Sequence, residues 1–294
     1  MKPPAFDYYR PTTLAEALSL IGTVEEAKVL AGGQSLVPMM NMRLARPGAL
    51  VDINQVTELT EIQTLPDRLS IGALVRHYQL EQSPVVRKYT PIIAQAETLI
   101  GHPAIRSRGT IGGSLCHADP AAELPVLAVL GDWELTVQSS GQLRTIPARE
   151  FFLSFFITAI EPTELLTAVQ VPKQTAAGQI VEYAVRSGDF ALAIAAVTVD
   201  VDSSGTVRDA RVALGGVADV PWRNSEMEQE WRGQQIGDNL WRDIAYAVSQ
   251  AIDPADDLHA TASHRRHLSK TLIQQAFKRA MKEHRTTTQL GRSH

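Results

Sequence analysis

Val29-Leu30-Ala31-Gly32-Gly33-Gln34-Ser35-Leu36 and, about eighty residues further on, Gly109-Thr110-Ile111-Gly112-Gly113-Ser114-Leu115 share one device, a Gly-Gly step followed by a small hydroxyl. Adjacent glycines reach backbone conformations closed to other residues and bring N–H groups close to an oxyanion, while Ser35, Thr110 and Ser114 add hydroxyl donors. A single Gly-Gly reads as a tight strand turn. Two of them suit a diphosphate held between two loops. Neither stretch contains Gly-x-Gly-x-x-Gly or Gly-x-x-x-x-Gly-Lys-Ser/Thr, so the pattern points to a dinucleotide held outside a Rossmann cradle.

Working outward, the 294 residues, 44% hydrophobic and 20% charged, describe an ordinary globular chain of about two domains. The formal net charge of −4 offers no basic face for nucleic acid and no polybasic membrane anchor, so a phosphate-bearing ligand must be held locally. The start, Met1 to Arg10, has no apolar signal region, and no stretch reaches the length of a membrane helix; the expected location is cytoplasmic. The one cysteine, Cys116, excludes an internal disulfide and argues against a self-contained iron–sulfur cluster or Cys-based zinc site. Its expected role is a buried, inert thiol.

Thr13-x-x-Glu16 predicts a capping box for a helix over residues 13–21, stopped by Gly22. Strands are expected at Lys28 to Ala31, Leu50 to Ile53 and Leu69 to Leu74, and a helix over Pro91 to Leu99. After the second glycine stretch, Asp119 reads as an N-cap and Pro120 as the first residue of an apolar helical run through Leu130, ended by Gly131. Trp133 to Gln138, Gln142 to Ile146 and Leu165 to Val171 alternate like antiparallel strands, and Pro172 opens a Lys-Gln-Thr-Ala-Ala-Gly linker. The domain boundary is placed there, near residue 175. Beyond it, Leu192 to Val201 and Val207 to Val217 form a hairpin about Asp202 to Thr206, followed by amphipathic helices over Asn239 to Ile252 and His264 to His284 and a polar, frayed tail at 286–294.

The stretches Ala31 to Pro38 and Ile105 to Pro125, then Arg186-Ser187-Gly188-Asp189-Phe190-Ala191, Leu214-Gly215-Gly216-Val217 and Ala251-Ile252-Asp253-Pro254, resemble in order the FAD-binding medium subunit of molybdenum hydroxylases, the carbon monoxide dehydrogenase and xanthine dehydrogenase family. The resemblance implies an α+β fold: a two-part FAD-binding domain of the vanillyl-alcohol-oxidase (PCMH) type over residues 1–175, with subdomains of about 1–55 and 56–175. A smaller α+β C-terminal domain over 176–285, with an antiparallel sheet and helices, would cover the flavin. The FAD diphosphate would lie between Leu30, Ala31, Gly32, Gly33, Gln34, Ser35 and Leu36 on one side and Thr110, Ile111, Gly112, Gly113 and Ser114 on the other.

Further cofactor contacts implied by the resemblance are Ile100 and Leu166, apolar neighbours of the flavin, and Phe190, in the place of an aromatic that shields one ring face. Periodicity alone makes Ile100 and Leu166 core residues. His117 reads as a hydrogen-bond donor to FAD, Asp119 as a ligand or a helix cap or both, and Glu123 as a contact to the FAD ribose or phosphate-side groups. Arg186 would meet an electronegative flavin edge or pair with Asp189. His102, Pro103 and Arg106 would shape the loop, and Arg106 could also meet a neighbouring subunit.

The implied role is electron transfer. A large subunit with a molybdopterin cofactor would hydroxylate the substrate, a small subunit with two [2Fe-2S] clusters would carry electrons, and FAD on this chain would pass them to an external acceptor within a dimer of heterotrimers. No catalytic acid, base, nucleophile or metal ligand is assigned to this chain. The alternative is a stand-alone FAD oxidoreductase acting on its own small substrate.

Overall fold

The computed structural model describes residues 2–290. Three short strands come first: β1 (Asp7–Tyr9), β2 (Ala27–Leu30) and β3 (Ala49–Asp52), ordered β1-β3-β2 and all parallel. The Leu14–Thr23 helix covers them with Ala17, Leu18 and Ile21 against Val51. Thr13 caps it, its hydroxyl accepting from the Glu16 amide at 3.2 Å. Glu16 reaches back to the Thr12 amide, and the helix runs through Gly22 to end at Thr23. Gly22 therefore does not stop it; no left-handed glycine is needed, because Val24 leaves the helix in an extended conformation.

The second layer is a five-stranded antiparallel sheet. It comprises β4 (Ile62–Thr64), β5 (Arg68–Gly72), β6 (Glu134–Gln138), β7 (Leu143–Pro147) and β10 (Leu165–Pro172), in the order β4-β5-β10-β6-β7. A small ribbon, β8 (Phe152–Ser154) with β9 (Ile157–Thr158), leads into β10. The third layer is the antiparallel sheet β11 (Ala177–Tyr183), β12 (Ala193–Val201), β13 (Val207–Gly215) and β14 (Trp222–Arg223). Its outer face carries the Asp238–Ala251 and Ala262–Leu290 helices, whose Trp241 and Phe277 rings stack at 4.4 Å.

Several expectations are corrected here. Residues 177 and 178 are not linker but the start of the edge strand β11; the interleaved Gln179 and Glu182 blur its apolar pattern. The last helix continues past His284 to Leu290, so residues 286–290 are helical in backbone, and 291–294 of the expected tail lie outside the described residues. The Asp202–Thr206 hairpin forms as read, with Asp202 Oδ1 accepting from the Ser204 and Thr206 amides and Gly205 at φ +82°.

The Glu123–Leu130 helix sits between the second and third layers. Leu124 through Leu130 are all buried, so the helix is apolar all round, as a central helix must be. It packs with Leu135 and Val137 of β6 on one side and Ile194, Ala196 and Ala213 on the other, in one continuous core. Arg223 closes its C-terminal end, donating to the Val129 and Leu130 carbonyls at 2.8 and 3.0 Å.

Candidate flavin site

The first glycine stretch leaves β2 at Leu30, turns through Gly33 at φ +73° and enters the Leu36–Asn41 helix. Ser35 stands at the N-cap but its hydroxyl makes no cap bond, and the Gly33, Gln34 and Ser35 amides donate to no backbone carbonyl among the described residues. Gln34 donates to the Gly32 carbonyl at 3.0 Å, which holds the turn closed.

The second stretch is not a Gly-Gly turn. Thr110 is the N-cap of the Ile111–His117 helix, and Gly112 and Gly113 lie in its first turn. The Thr110 hydroxyl, expected to face a ligand, accepts from the Gly113 amide at 3.0 Å. Glycine is required by close approach: a Cβ on Gly112 would sit 2.6 Å from the Ala73 carbonyl oxygen, to which the Gly112 amide donates.

The two stretches meet directly. A Cβ on Gly32 would fall 2.4 Å from the Arg108 carbonyl oxygen and 2.7 Å from the Gly109 Cα, so the backbones touch with no side chain between them. Arg76 ties them, donating to the Arg108 carbonyl and, at 2.6 Å, to Asn54 Oδ1. Asn54 in turn donates to the Ala31 carbonyl at 2.8 Å and to Asp52, which also accepts from the Tyr8 hydroxyl at 2.5 Å. Burial works against the Asp52 carboxylate, yet the bonds from Tyr8 and Asn54 hold its pKa below the ordinary value. Sequence reading missed Asn54 and Arg76 altogether; their only signal is polarity beside apolar strands.

Asp119 does not cap the following helix. Its carboxylate accepts from the Ala121 amide at 2.9 Å, the Ala122 amide closes a turn on the Asp119 carbonyl, and the helix starts at Glu123 with Ala122 at the N-cap. The Asp-Pro pair has made a turn instead, since the short carboxylate bonds two residues on. The Gly216 amide donates to the Pro120 carbonyl at 2.8 Å, fixing this turn to the C-terminal sheet. Burial pushes the Glu123 carboxyl up to about 8, with Glu182, Glu97 and Asp119 adding to it, and burial raises Glu182 to about 7.

Cys116 is exposed, against the expectation of burial, because it is not among the inward positions of its helix, which are Ile111, Gly112 and Leu115. Neighbouring atoms that partly desolvate the sulfur push the thiol up, with Lys28 opposing. Lys28 also bears on His117, whose pKa is lowered by burial and whose ring lies 4.9 Å from that of Phe156. Leu166 is buried in the core and Ile100 packs against that core half-buried. Phe190 is 64% exposed, a large apolar ring held in solvent. Its loop is seated on the N-terminal half: a Cβ on Gly188 (φ +88°) would lie 2.4 Å from His102 Cε1. Arg186 makes no ion pair with Asp189 among the described residues; only the Asp189 amide bonds back to the Arg186 carbonyl, at 3.2 Å. Pro103 opens a short helix behind an extended His102, and Arg106 is spent internally, on Glu81 at 2.9 Å and the Ile100 carbonyl at 3.2 Å.

Glycine backbones in contact, turn amides without backbone partners and the Ser35 and Ser114 hydroxyls, on an α+β scaffold, fit a ligand with an extended diphosphate. Residues 4–174 match the family model for the FAD binding domain in molybdopterin dehydrogenase, and residues 181–280 that for the CO dehydrogenase flavoprotein C-terminal domain. The chain is 38% identical over 290 residues to the 6-hydroxypseudooxynicotine dehydrogenase complex subunit alpha of Paenarthrobacter nicotinovorans, covering 98% of each. It is 33% identical to the carbon monoxide dehydrogenase medium chain of Hydrogenophaga pseudoflava, covering 95% of this chain and 98% of that one. Quinoline 2-oxidoreductase from Pseudomonas putida 86 superposes with a TM-score of 0.93 at 34% identity, over 96% of this chain and 99% of that one. The chain belongs to the family of FAD-binding, electron-transferring subunits of multi-subunit molybdenum hydroxylases, and its chemistry is that of an oxidoreductase. No helix of the described residues is long and apolar enough to cross a membrane.

Proposed function

We propose that the FAD diphosphate lies along the seam where Gly32 meets Arg108 and Gly109, between Leu30 to Leu36 and Thr110 to Ser114. The observation that carries this reading is the direct backbone contact at Gly32, which sets the two glycine stretches side by side with no side chain between them. Ser35 and Ser114 supply hydroxyls, and the unpartnered turn amides supply donors. Bound FAD accepts electrons one at a time and releases one or two, while the protein contributes position and electrostatics.

In this reading Phe190 lies over one ring face, brought there by the Gly188 turn against His102, and Ile100 bounds the ring with Leu166 behind it. Asp119, Glu123 and His117 line the ribose side, where a protonated Glu123 can donate to an oxygen. Residues 1–175 form the flavin domain and 176–285 its cover. The working assembly is a dimer of heterotrimers in the cytoplasm, with a large molybdopterin subunit, a small subunit with two [2Fe-2S] clusters and an external acceptor. The relatives' names as complex subunit and medium chain support this.

Native purification tests it by the absorbance spectrum, metal content and subunit composition of whatever retains the chain. A flavin band with iron, molybdenum and two further subunits is expected. FAD alone on a chain that oxidises a substrate would overturn the assembly.

A further inference from the structure

Beneath the seam lies a buried pair that the flavin reading does not use. His77 opens the His77–Gln82 helix and Glu97 lies in the Pro91–Leu99 helix; His77 Nδ1 is 2.9 Å from Glu97 Oε2, with the two side chains 5% and 0% exposed. That approach is an ion-pair contact without hydrogen-bond geometry, and Glu97 Oε1 has no hydrogen-bond partner among the described residues. Burial raises the Glu97 pKa, with His77 opposing; the nearest other charges, Glu81 and Arg106, satisfy each other at 2.9 Å. A buried acid with one partner contributes little stability for its cost, and fills a core no better than leucine.

What the pair touches explains it. The His77 amide donates to the Gly109 carbonyl at 3.1 Å, and a Cβ on Gly109 would lie 2.6 Å from His77 Cδ2 and 3.0 Å from Nε2. The ring edge turned away from Glu97 is therefore seated on the Gly109 Cα. That same Cα is 2.7 Å from where a Cβ on Gly32 would stand. Glu97, His77, Gly109 and Gly32 form one stack from the core to the first glycine loop, with no slack at either glycine.

We propose that His77 and Glu97 are positioning residues for the flavin: Glu97 orients the imidazole, and the imidazole sets the height of Gly109 and so the gap in which the diphosphate sits. The proposal rests on the assignment of the two glycine stretches to FAD. A buried imidazole with the Glu97 carboxylate 2.9 Å from Nδ1 is confined in its ring orientation, whereas a ring without that neighbour can rotate and let Gly109 move.

The test is FAD affinity of the full chain, stripped and titrated by flavin fluorescence, alongside thermal unfolding. Glu97→Gln, which keeps an oxygen toward His77, should bind FAD within about twofold of wild type, and Glu97→Leu should weaken it by about tenfold or more. Leu80→Ala, a fully buried neighbour on the same helix, should lower the melting temperature and leave affinity unchanged. Gly109→Ala should lose FAD, and His77→Ala added to it should restore part of the loss, because the clash disappears. Gly33→Val, directly in the first loop, should abolish binding. If Gly33→Val fails while Glu97→Leu binds normally, the strut is wrong and the loops stand. If Gly33→Val also binds normally, the loop assignment falls and the strut with it. Strict additivity of Gly109→Ala and His77→Ala would likewise overturn the proposal.

Discussion

Glycines 32 and 22 show how one residue type carries opposite demands. Gly32→Ala drives a methyl into the Arg108 carbonyl, so FAD affinity should fall by about tenfold or more while folding survives, read by equilibrium dialysis. Gly22 has nothing within 4 Å and lies inside the Leu14–Thr23 helix, so Gly22→Ala should raise stability by about 0.5–1 kcal/mol in urea unfolding. Glu123 and Glu182 hold their protons more tightly folded than unfolded, with folded values of about 8 and about 7 against an ordinary 4.5. Their contribution is present at acid pH and is lost as pH rises through 7 and 8, so the melting temperature should fall between pH 6 and 9. The double variant Glu123→Gln, Glu182→Gln should flatten that slope; an unchanged slope would show that other groups set it. The glycines and hydroxyls of the seam were legible because their neighbours in sequence form the loops. Arg76, Asn54, His77 and Glu97 were not, because each acts on a partner some twenty residues or more away, beyond any local pattern.

The Glu123–Leu130 helix marks where local reading works and fails. Its apolar run and the Gly131 stop were plain, since seven consecutive buried residues leave no polar face. Its start was misread because Asp119 and Pro120 fit a turn as well as a cap, and the turn wins where the Gly216 amide takes the Pro120 carbonyl. At the other end the Arg223 side chain is 4% exposed and joins Glu228, Asp132 and two helix carbonyls. Arg223→Met strands the Glu228 carboxylate and both carbonyls, and should cost about 3–5 kcal/mol in denaturant midpoint analysis. Strand β11 escaped notice for the opposite reason: its polar residues Gln179 and Glu182 fall three apart and break the period of two, its start reads as linker, and only pairing with β12 from Ala177↔Val199 to Tyr183↔Ala193 makes it a strand.

One of the molecule's three core clusters spans its two sequence halves, beside a second cluster that lies wholly in the C-terminal half. Ile180, Ala191, Ile194, Ala196 and Ala213 belong to the same cluster as Leu69, Ile71 and Leu166. Full-chain calorimetry should therefore give one cooperative transition, and a fragment beginning at residue 176 should be insoluble or unfolded; two separable transitions would refute the shared core. The two glycine stretches and most of the strands and helices were legible in the sequence alone, because turn chemistry, strand alternation and helix periodicity are written in near neighbours, while the α+β class and the flavin family rested on the resemblance of its motifs to the medium subunits. Only the tertiary structure decided that the second stretch is a helix start, that Gly32 and Gly109 touch, and that a buried histidine and glutamate stand beneath them. Those are contacts between segments far apart in the chain, and packing in three dimensions, not local preference, chooses which backbones meet.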